Sequence, residues 1–329
     1  MNRLCRALGR IGPTKIGSMN LTPDPDDGLI RRKEFVHGGG DAVELRRAHR
    51  QGRLVRITRG VYRSVDPDDP AAEPVYDQAY RQLVIAVASR STERVVSHSS
   101  AGVMHGLNQL APDQSRVHFY VRAGGRRGRE VHLHTGSLTR SDVTVVDGVL
   151  LTKLGITACD VARQGSFAQA VVVLDHALRL GVDRAELESI VQRSAKTAGV
   201  AVLRRALDVA DRNSESVGES LSRSLFIEWS DIPVPSLQTE YRESWGEVIA
   251  RVDFDWDGKV VGEFDGRVKY EKHRRPGESV ADTVLREKRR EDRLREEGIM
   301  VIRWVWDDLK DPRLLRSRIR KVLRAAGVI

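Results

Sequence analysis

Three prolines in eight residues, Pro67, Pro70 and Pro74, constrain the chain more than any other feature. Proline fixes φ, lacks a backbone N–H and restricts the residue before it, so no regular helix or strand can run through this segment. The 329 residues are therefore expected to form several modules, in line with about 150 residues per domain. A second, softer boundary is predicted near residues 211–216. The segments that we expect are a tail over 1–28 and domains over 29–66, 75–212 and 216–329.

Positive charge is concentrated in the first of these domains. Residues 29–63 contain ten basic and three acidic residues, which is most of the net charge of +9 that the whole chain carries. A local surplus of this kind favours a polyanionic partner, because bound phosphates release their counterions. The alternative, an ordinary solvated surface, stays open on charge alone.

The basic segment has the pattern of a short helix, a second helix and a hairpin. Leu29, Ile30, Phe35 and Val36 are assigned to the short helix, and Asp41 is a plausible N-cap for the second helix. Basic and apolar residues then alternate over 53–63 and break at Arg59-Gly60, which predicts a two-stranded hairpin. This is the layout of a winged helix-turn-helix, in which a helix enters the major groove and the wing touches the backbone. The side chains expected to contact double-stranded DNA are Arg46, Arg47, Arg50, Arg53, Arg56, Arg59 and Arg63.

The stretch Ala48–Tyr62, which ends in arginine, glycine, an aliphatic residue and tyrosine, carries a resemblance. It resembles the N-terminal winged-helix domain of AbiEi-type antitoxins, bacterial autorepressors of type IV toxin–antitoxin operons. The resemblance implies DNA binding, and it makes a toxin protein encoded nearby a candidate partner. Residues 75–212 resemble the remainder of these proteins less specifically.

The pattern of residues 75–212, the middle domain, predicts an α+β fold. A helix is predicted over 76–88, and strands over 117–122 and 130–135 are predicted to form a hairpin around the Gly-Arg loop 124–129. Whether this loop contacts DNA phosphate or is only a polar hairpin tip stays open. Four helices are expected to follow before residue 212.

Three side-chain groups in this domain could suggest chemistry. His132 and His134 are two residues apart, share a strand face and could both bind a metal, but with no third ligand near them in the sequence we interpret them as surface histidines. His98, which precedes two serines, is interpreted as the start of a helix rather than as part of a nucleophile. Cys159 is interpreted as a small buried apolar residue.

The last 114 residues are predicted to fold in the order α-β-β-β-α-β-α. Acidic and apolar residues alternate in two strands, so Asp253 and Asp255 should share one face, and Glu263 and Asp265 should share one face of the partner strand. A two-residue loop at Asp257 would separate Asp253 from Glu263, whereas a three-residue loop, resembling a type I turn with a bulge, would pair them. Converging carboxylates predict a hard cation, Mg²⁺ or Mn²⁺. Solvated acids on a surface hairpin are the alternative.

A second resemblance lies in this domain, carried by the residues of 251–254, 260–266 and 287–292. They resemble the motifs of the PD-(D/E)XK nuclease superfamily, in particular its small Vsr-like, very-short-patch-repair type. The resemblance covers about residues 216–310, and it implies a restriction-endonuclease-like fold and metal-dependent cleavage of phosphodiesters.

The same resemblance assigns roles to individual residues. It implies that Asp253 and Glu263 are the two motif acids and that Glu219 is the acid of the preceding helix. Asp265 stands where the motif usually has lysine, and it would join Asp253 and Glu263 as a metal ligand. The catalytic lysine would then be Lys288 of the following helix, with Lys269 as the second candidate.

Together these observations predict an α+β multidomain protein with an N-terminal winged helix-turn-helix, an α+β middle domain and a C-terminal α/β nuclease-like domain. Two cysteines, no long apolar stretch and no apolar signal-peptide core favour a cytoplasmic protein with no membrane partner. The leading hypothesis is a DNA-directed, Mg²⁺- or Mn²⁺-dependent endonuclease. Its rivals are a non-catalytic repressor and a toxin-binding protein.

Overall fold

The computed structural model describes residues 23–24, 27–65, 76–91, 93–242, 246–266 and 280–329. The chain forms two compact units, the first within Met1–Thr92 and the second within Glu93–Ile329. Most of the predicted tail, the proline-rich segment over 66–75 and Lys269 lie outside the described residues. Within the described residues, no helix combines the length and apolar character needed to cross a membrane.

The first unit contains a three-stranded antiparallel sheet in the order β1-β3-β2. Leu29 and Ile30 were expected in a helix, and this is wrong, because both are buried in a strand paired with β3. The second helix and the hairpin are present as predicted, with the Asp41 carboxylate accepting a hydrogen bond from Val43 N. The elements are β1 (Leu29–Arg31), α1 (Arg32–His37), α2 (Ala42–Arg50), β2 (Leu54–Thr58), β3 (Val61–Ser64) and α3 (Tyr76–Ala88).

The second unit begins with a six-stranded sheet in the order β6-β7-β5-β4-β9-β8. The predicted hairpin between β5 and β7 is wrong, since the two strands run parallel and β6 pairs antiparallel with the outer side of β7. The chain therefore returns along the sheet edge before β7 begins. The elements are β4 (Val95–Val96), α4 (His98–Met104), β5 (Val117–Val121), β6 (Arg126–Arg127), β7 (Val131–Thr135), β8 (Val143–Val146) and β9 (Val149–Thr152).

Four helices follow this sheet and share one apolar core, which includes the buried Cys159. Ser166 and Gln169 form a capping box at the start of the second of them. They are α5 (Leu154–Gln164), α6 (Phe167–Arg179), α7 (Arg184–Arg193) and α8 (Val200–Val209).

The C-terminal part has a four-stranded sheet in the order β10-β11-β12-β13, with β12 and β13 parallel. Over the described residues of this part, the predicted order of helices and strands is confirmed, with one additional short helix after β13. A buried ion pair between Arg223 and Asp175 joins this part to α6 at 2.6 Å. The elements are α9 (Val217–Glu228), β10 (Ser236–Arg242), β11 (Val248–Trp256), β12 (Val260–Asp265), α10 (Val280–Glu296), β13 (Met300–Val305), α11 (Trp306–Lys310) and α12 (Pro312–Ala325).

Candidate nucleic-acid interface and carboxylate site

The basic surface of the first unit comprises the exposed arginines of α2 and of the β2–β3 hairpin. Leu45 and Ala48 point into the core of this unit, which turns Arg46, Arg47 and Arg50 toward solvent. Arg59 is exposed at the hairpin turn. Within the described residues, no ion pair joins these four arginines to an acidic side chain. Their guanidinium groups are therefore available to an external anion.

The other three predicted DNA-contacting arginines are partly engaged. Arg53 donates to the Gln51 side chain at 2.9 Å, and Arg56 donates to the Thr58 carbonyl at 3.3 Å. Both remain exposed, whereas Arg63 is half-buried. The structure thus places six of the seven predicted arginines on the exposed surface of one small unit.

The carboxylate fork, formed by Glu219, Gln238, Asp253 and Glu263, lies where β11 and β12 separate. Trp256 pairs with Val260, so the loop has three residues, which is the register that was expected to pair Asp253 with Glu263. The pairing between the strands ends at Phe254, beyond which Asp253 Oδ2 accepts a hydrogen bond from Phe264 N at 2.8 Å. The Asp253 side chain thus takes the place of the backbone hydrogen bond that would continue the pairing of β11 with β12.

The turn of this hairpin differs from the expected type I turn with a bulge. Asp257 and Gly258 both have positive φ, 55° and 66°, which is the pattern of a type I′ turn. This turn matches the natural twist of the flanking strands.

The expected common face of Asp253 and Asp255 is also not what the structure shows. Val252 packs in the cluster beneath α10, whereas Phe254 packs in the cluster with α9 and α12. Residues two apart in a regular strand share a face, so β11 changes face at Asp253. Asp255 instead accepts hydrogen bonds from Tyr241 Oη and Gly258 N.

Glu219 reaches the fork because α9 packs closely on β12. A Cβ atom added at Gly218 would lie 1.9 Å from the ring of Phe264, so a side chain there would push α9 away from the sheet. Ser216 caps the helix, with its Oγ accepting from Glu219 N at 3.1 Å. The Glu219 side chain is buried as a result, with 4% exposed.

Gln238 connects the two acids, and nothing in the sequence pattern indicated it. Its amide nitrogen donates to Glu219 Oε2 at 3.0 Å and lies 3.4 Å from Asp253 Oδ1. Its φ of 53° is unusual for a residue other than glycine. Backbone strain of this kind persists where the surrounding structure holds it, and it concentrates at functional sites.

Glu263 is neutralised by two arginines. Arg290 Nη2 donates to Glu263 Oε1 at 2.6 Å, and Arg303 Nε donates to Glu263 Oε2 at 2.8 Å. Although burial alone would lower the pKa of Arg303, its bonds to Glu263 and Glu291 raise that pKa above its ordinary value. Both carboxylate oxygens of Glu263 are therefore occupied.

Of the two predicted lysines, Lys288 lies among the described residues and Lys269 does not. Lys288 is exposed on α10, and no ion pair joins it to Asp253, Glu263 or Asp265 there. Arg290 and Glu291 of α10 both bond to side chains of the sheet, and Arg290 is directed there because it lies one turn before the buried Leu294. That spacing is the signal by which the sequence could have identified it. Asp265 ends β12 opposite Val305.

The structure also joins histidines that the sequence keeps apart. His118 of β5 lies beside His132 and His134 of β7, and one nitrogen from each of the three lies within 4.8 Å of the others. The expectation that no third ligand stands near His132 and His134 is therefore wrong. His98 begins α4, as predicted, and its ring stacks on that of His134. In the described part of the chain, this is the group of three potential ligands that converges, and the predicted carboxylates do not form one.

Comparisons with known proteins identify a family match in the segment that carries the basic surface. Residues 26–65 match the family described as "Transcriptional regulator, AbiEi antitoxin", which confirms the resemblance of the N-terminal segment. Two curated proteins of Mycobacterium tuberculosis, uncharacterized proteins MT2308 and Rv2248, are each 31% identical to this chain over 287 residues. These alignments cover 84% of this chain and 95% of each relative.

Proposed function

Because this chain belongs to the same family as MT2308 and Rv2248 of Mycobacterium tuberculosis and carries an AbiEi antitoxin-type regulator domain, we propose that it is a sequence-specific, double-stranded DNA-binding transcriptional regulator. The observation that carries the proposal is the basic surface, where arginines on a helix and on a hairpin turn lie exposed without acidic partners. An arginine fork can bind guanine edges or phosphate in two parallel hydrogen bonds.

Helix α2 and the β2–β3 hairpin would contact different parts of the DNA. Arg46 and Arg50 are four residues apart on α2, so they lie on one exposed face that a major groove can accept. Arg59 stands at the turn of the hairpin, where a wing contacts the backbone. Helix contacts would supply the sequence preference, and wing contacts would supply affinity.

The test measures binding of the full chain to the promoter of its own gene by fluorescence anisotropy. The double variant Arg46→Ala/Arg50→Ala should lose at least about tenfold in affinity, since each good bidentate contact to a base contributes about 1–3 kcal/mol. Arg204→Ala, an exposed arginine of the second unit, is the matched control and should bind like the wild type. Equal affinity of the double variant and the control would refute the assignment.

A second candidate function is metal-dependent cleavage of DNA by the C-terminal domain. The strained Gln238 between Glu219 and Asp253 supports it, as does the three-residue loop, whose register would place Asp253 opposite Glu263 if the strands paired one step further. The carboxylates as arranged do not fit Mg²⁺ or Mn²⁺, because Arg290 and Arg303 occupy both oxygens of Glu263. We therefore assign no step to the ion. Cleavage would require the two arginines to leave Glu263, and a DNA phosphate offers them equivalent oxygens.

Nicking of supercoiled DNA with each metal tests this second candidate. Asp253→Asn and Glu263→Gln should abolish it, whereas Asp307→Asn, an acid of a half-exposed surface pair, should not. Wild-type protein that leaves every form of DNA intact with both metals would exclude cleavage. Promoter binding would be unaffected by that outcome, so the two functions are tested separately.

The protein partner that we propose is a toxin encoded nearby, since the matched family is described as an antitoxin. Co-expression with the neighbouring gene product, followed by gel filtration, tests it. Separate elution of the two proteins would contradict this partner.

A further inference from the structure

Four alternating side chains of two parallel strands form what we call the histidine face: His118 and Tyr120 of β5, and His132 and His134 of β7. The register pairs His118 with His132 and Tyr120 with His134. Alternate residues of a strand share a face, and neighbouring strands lie about 4.8 Å apart. Parallel pairing therefore places three imidazole rings side by side on one surface of the sheet.

The nitrogen atoms of these rings are close enough for one ion. One nitrogen from each of the three histidines lies within 4.8 Å of the others, and His118 Nδ1 is 3.0 Å from His134 Nε2. Zinc bonded to nitrogen at about 2.0–2.1 Å holds tetrahedral ligands about 3.3 Å apart. Small side-chain rotations would bring one nitrogen of each ring to that separation.

Burial lowers the pKa of all three histidines, which favours the neutral form that metal ligands must have. Burial, reinforced by the charge of His132, lowers the pKa of His118 to about 4. Burial, with the charges of His132 and His118, lowers the pKa of His134 to about 3. Burial also lowers the pKa of His132.

His118 supplies an independent sign that a ligand is required. Its side chain has 4% of its surface exposed, and its Nε2 has no hydrogen-bond partner among the described residues. Buried polar atoms are nearly always satisfied, and each exception calls for an explanation such as an ion. His132 and His134 are only half-buried, which leaves a path for an ion from solvent.

The surroundings hold the histidine face in place. His98 stacks on His134 with ring centroids 3.8 Å apart, and its own φ is 53°. Tyr120 donates to Asp160 at 2.9 Å, and Arg163 donates to the same carboxylate oxygen at 3.0 Å. Ligands fixed by packing and by a hydrogen-bonded outer layer are pre-arranged for binding.

His98 itself is not available as a fourth ligand. Its Nδ1 lies 2.9 Å from Ser97 Oγ, and its Nε2 lies 3.4 Å from Arg163 Nη2. A site of three histidines therefore keeps one coordination position open, as catalytic zinc sites do.

We propose that His118, His132 and His134 bind one divalent transition-metal ion of the zinc class, with the fourth position open to water or to a small anionic ligand. Three imidazoles suit Zn²⁺, Co²⁺, Ni²⁺ or Cu²⁺, whereas Mg²⁺ and Ca²⁺ require oxygen ligands. The site is separate from the carboxylate fork and does not depend on DNA binding.

Cobalt titration of the full chain, purified without a polyhistidine tag and stripped with a chelator, tests the site. The wild type should bind one Co²⁺ per chain, with the visible absorption of tetrahedral cobalt, and Zn²⁺ but not millimolar Mg²⁺ should displace it. His132→Gln and His134→Gln should each weaken cobalt binding by about tenfold or more. His37→Gln, an exposed histidine of the first unit, is the matched control and should bind as the wild type does.

Circular dichroism of each variant separates loss of the site from loss of the fold. His132 is less enclosed than His118, so His132→Gln keeps the test decisive if a more buried substitution prevents folding. Absence of stoichiometric cobalt in the wild type would overturn the proposal, and so would wild-type binding by folded His132→Gln. Promoter binding measured in chelator reports on the proposed regulatory function independently.

Discussion

Arginines of the first unit and arginines of the C-terminal sheet lie in opposite electrostatic settings. On α2 and the hairpin turn, Arg46, Arg50 and Arg59 are exposed, and among the described residues none has an acidic partner. At the C-terminal sheet, Arg290 of α10 and Arg303 of β13 both bond to Glu263. The presence of arginines in a region therefore does not by itself locate an anion-binding site. An arginine that is already paired with an acid is less available to an external anion.

The largest effect should come from breaking the buried pair Arg223–Asp175. Arg223→Ala would leave Asp175, which has no exposed surface, as an uncompensated buried acid. We expect a loss of about 3–5 kcal/mol in the free energy of unfolding, measured by urea denaturation. Asp175 also accepts from Asp211 N at 2.8 Å, so the loop before α9 should loosen as well.

A paired substitution shows whether charge or packing dominates there. The double variant Arg223→Met/Asp175→Leu removes both charges. If it restores much of the stability that Arg223→Ala loses, that loss comes from the unpaired buried charge of Asp175. A loss below about 1 kcal/mol in Arg223→Ala would mean that the pair is not buried in solution.

Acidification should affect the second unit and leave the arginines of the first charged. Burial, with the charge of Arg179, lowers the pKa of His176 to about 4, and its Nδ1 accepts a hydrogen bond from Asn108 N at 2.9 Å. Above about pH 6.5 the ring is neutral in both folded and unfolded chains, so its contribution is fully present. Between about pH 6.5 and 4 only the unfolded chain binds the proton, so stability falls, by about 1 kcal/mol at pH 5.5.

His176→Asn isolates this contribution, because asparagine retains an acceptor and does not titrate. Its free energy of unfolding should decline less than that of the wild type between pH 7.5 and 5.5. Identical pH dependence in the two proteins would contradict a lowered pKa for His176.

A smaller effect is expected on the hairpin. Arg59→Ala should weaken binding to all DNA sequences by a similar factor, roughly threefold to tenfold, because a backbone contact carries no sequence information. The slope of log affinity against log salt should fall by about 1. A change in sequence preference without a change in slope would assign Arg59 to base contact instead.

The smallest effect should come from an exposed pair of the C-terminal sheet. Arg251 donates to both oxygens of Glu215 at 2.8 Å, but both side chains are nearly half exposed. Arg251→Ala should change the free energy of unfolding by less than about 1 kcal/mol, measured by urea denaturation. A loss comparable with that of Arg223→Ala would show that exposure does not separate the two kinds of pair.

Local features of the fold could be predicted from the sequence. The Asp41 cap and the basic hairpin rest on residues a few positions apart, and the structure contains both. The three-residue loop near Asp257 was one of two open alternatives, and the register selects it. Local hydrogen bonding and turn chemistry decide such features without help from the rest of the chain.

Features that depend on distant partners could not be predicted. Parallel pairing of β5 with β7 requires the chain to return along the sheet edge, and the sequence of the intervening loop does not indicate that path. The change of face at Asp253 depends on packing against both α9 and α10. Lys288 and Arg290 differ by two positions on one helix, which places them on different sides of it.

Sequence alone locates the concentrated positive charge, the start of α2 and the basic first unit, because each depends on composition or on neighbours within one turn. Tertiary structure decided which distant side chains meet. It placed His118 of β5 beside His132 and His134 of β7, and it paired Glu263 with two arginines rather than with a lysine. Strand pairing and helix docking bring such groups together, and both are set by burial of apolar surface across the whole unit.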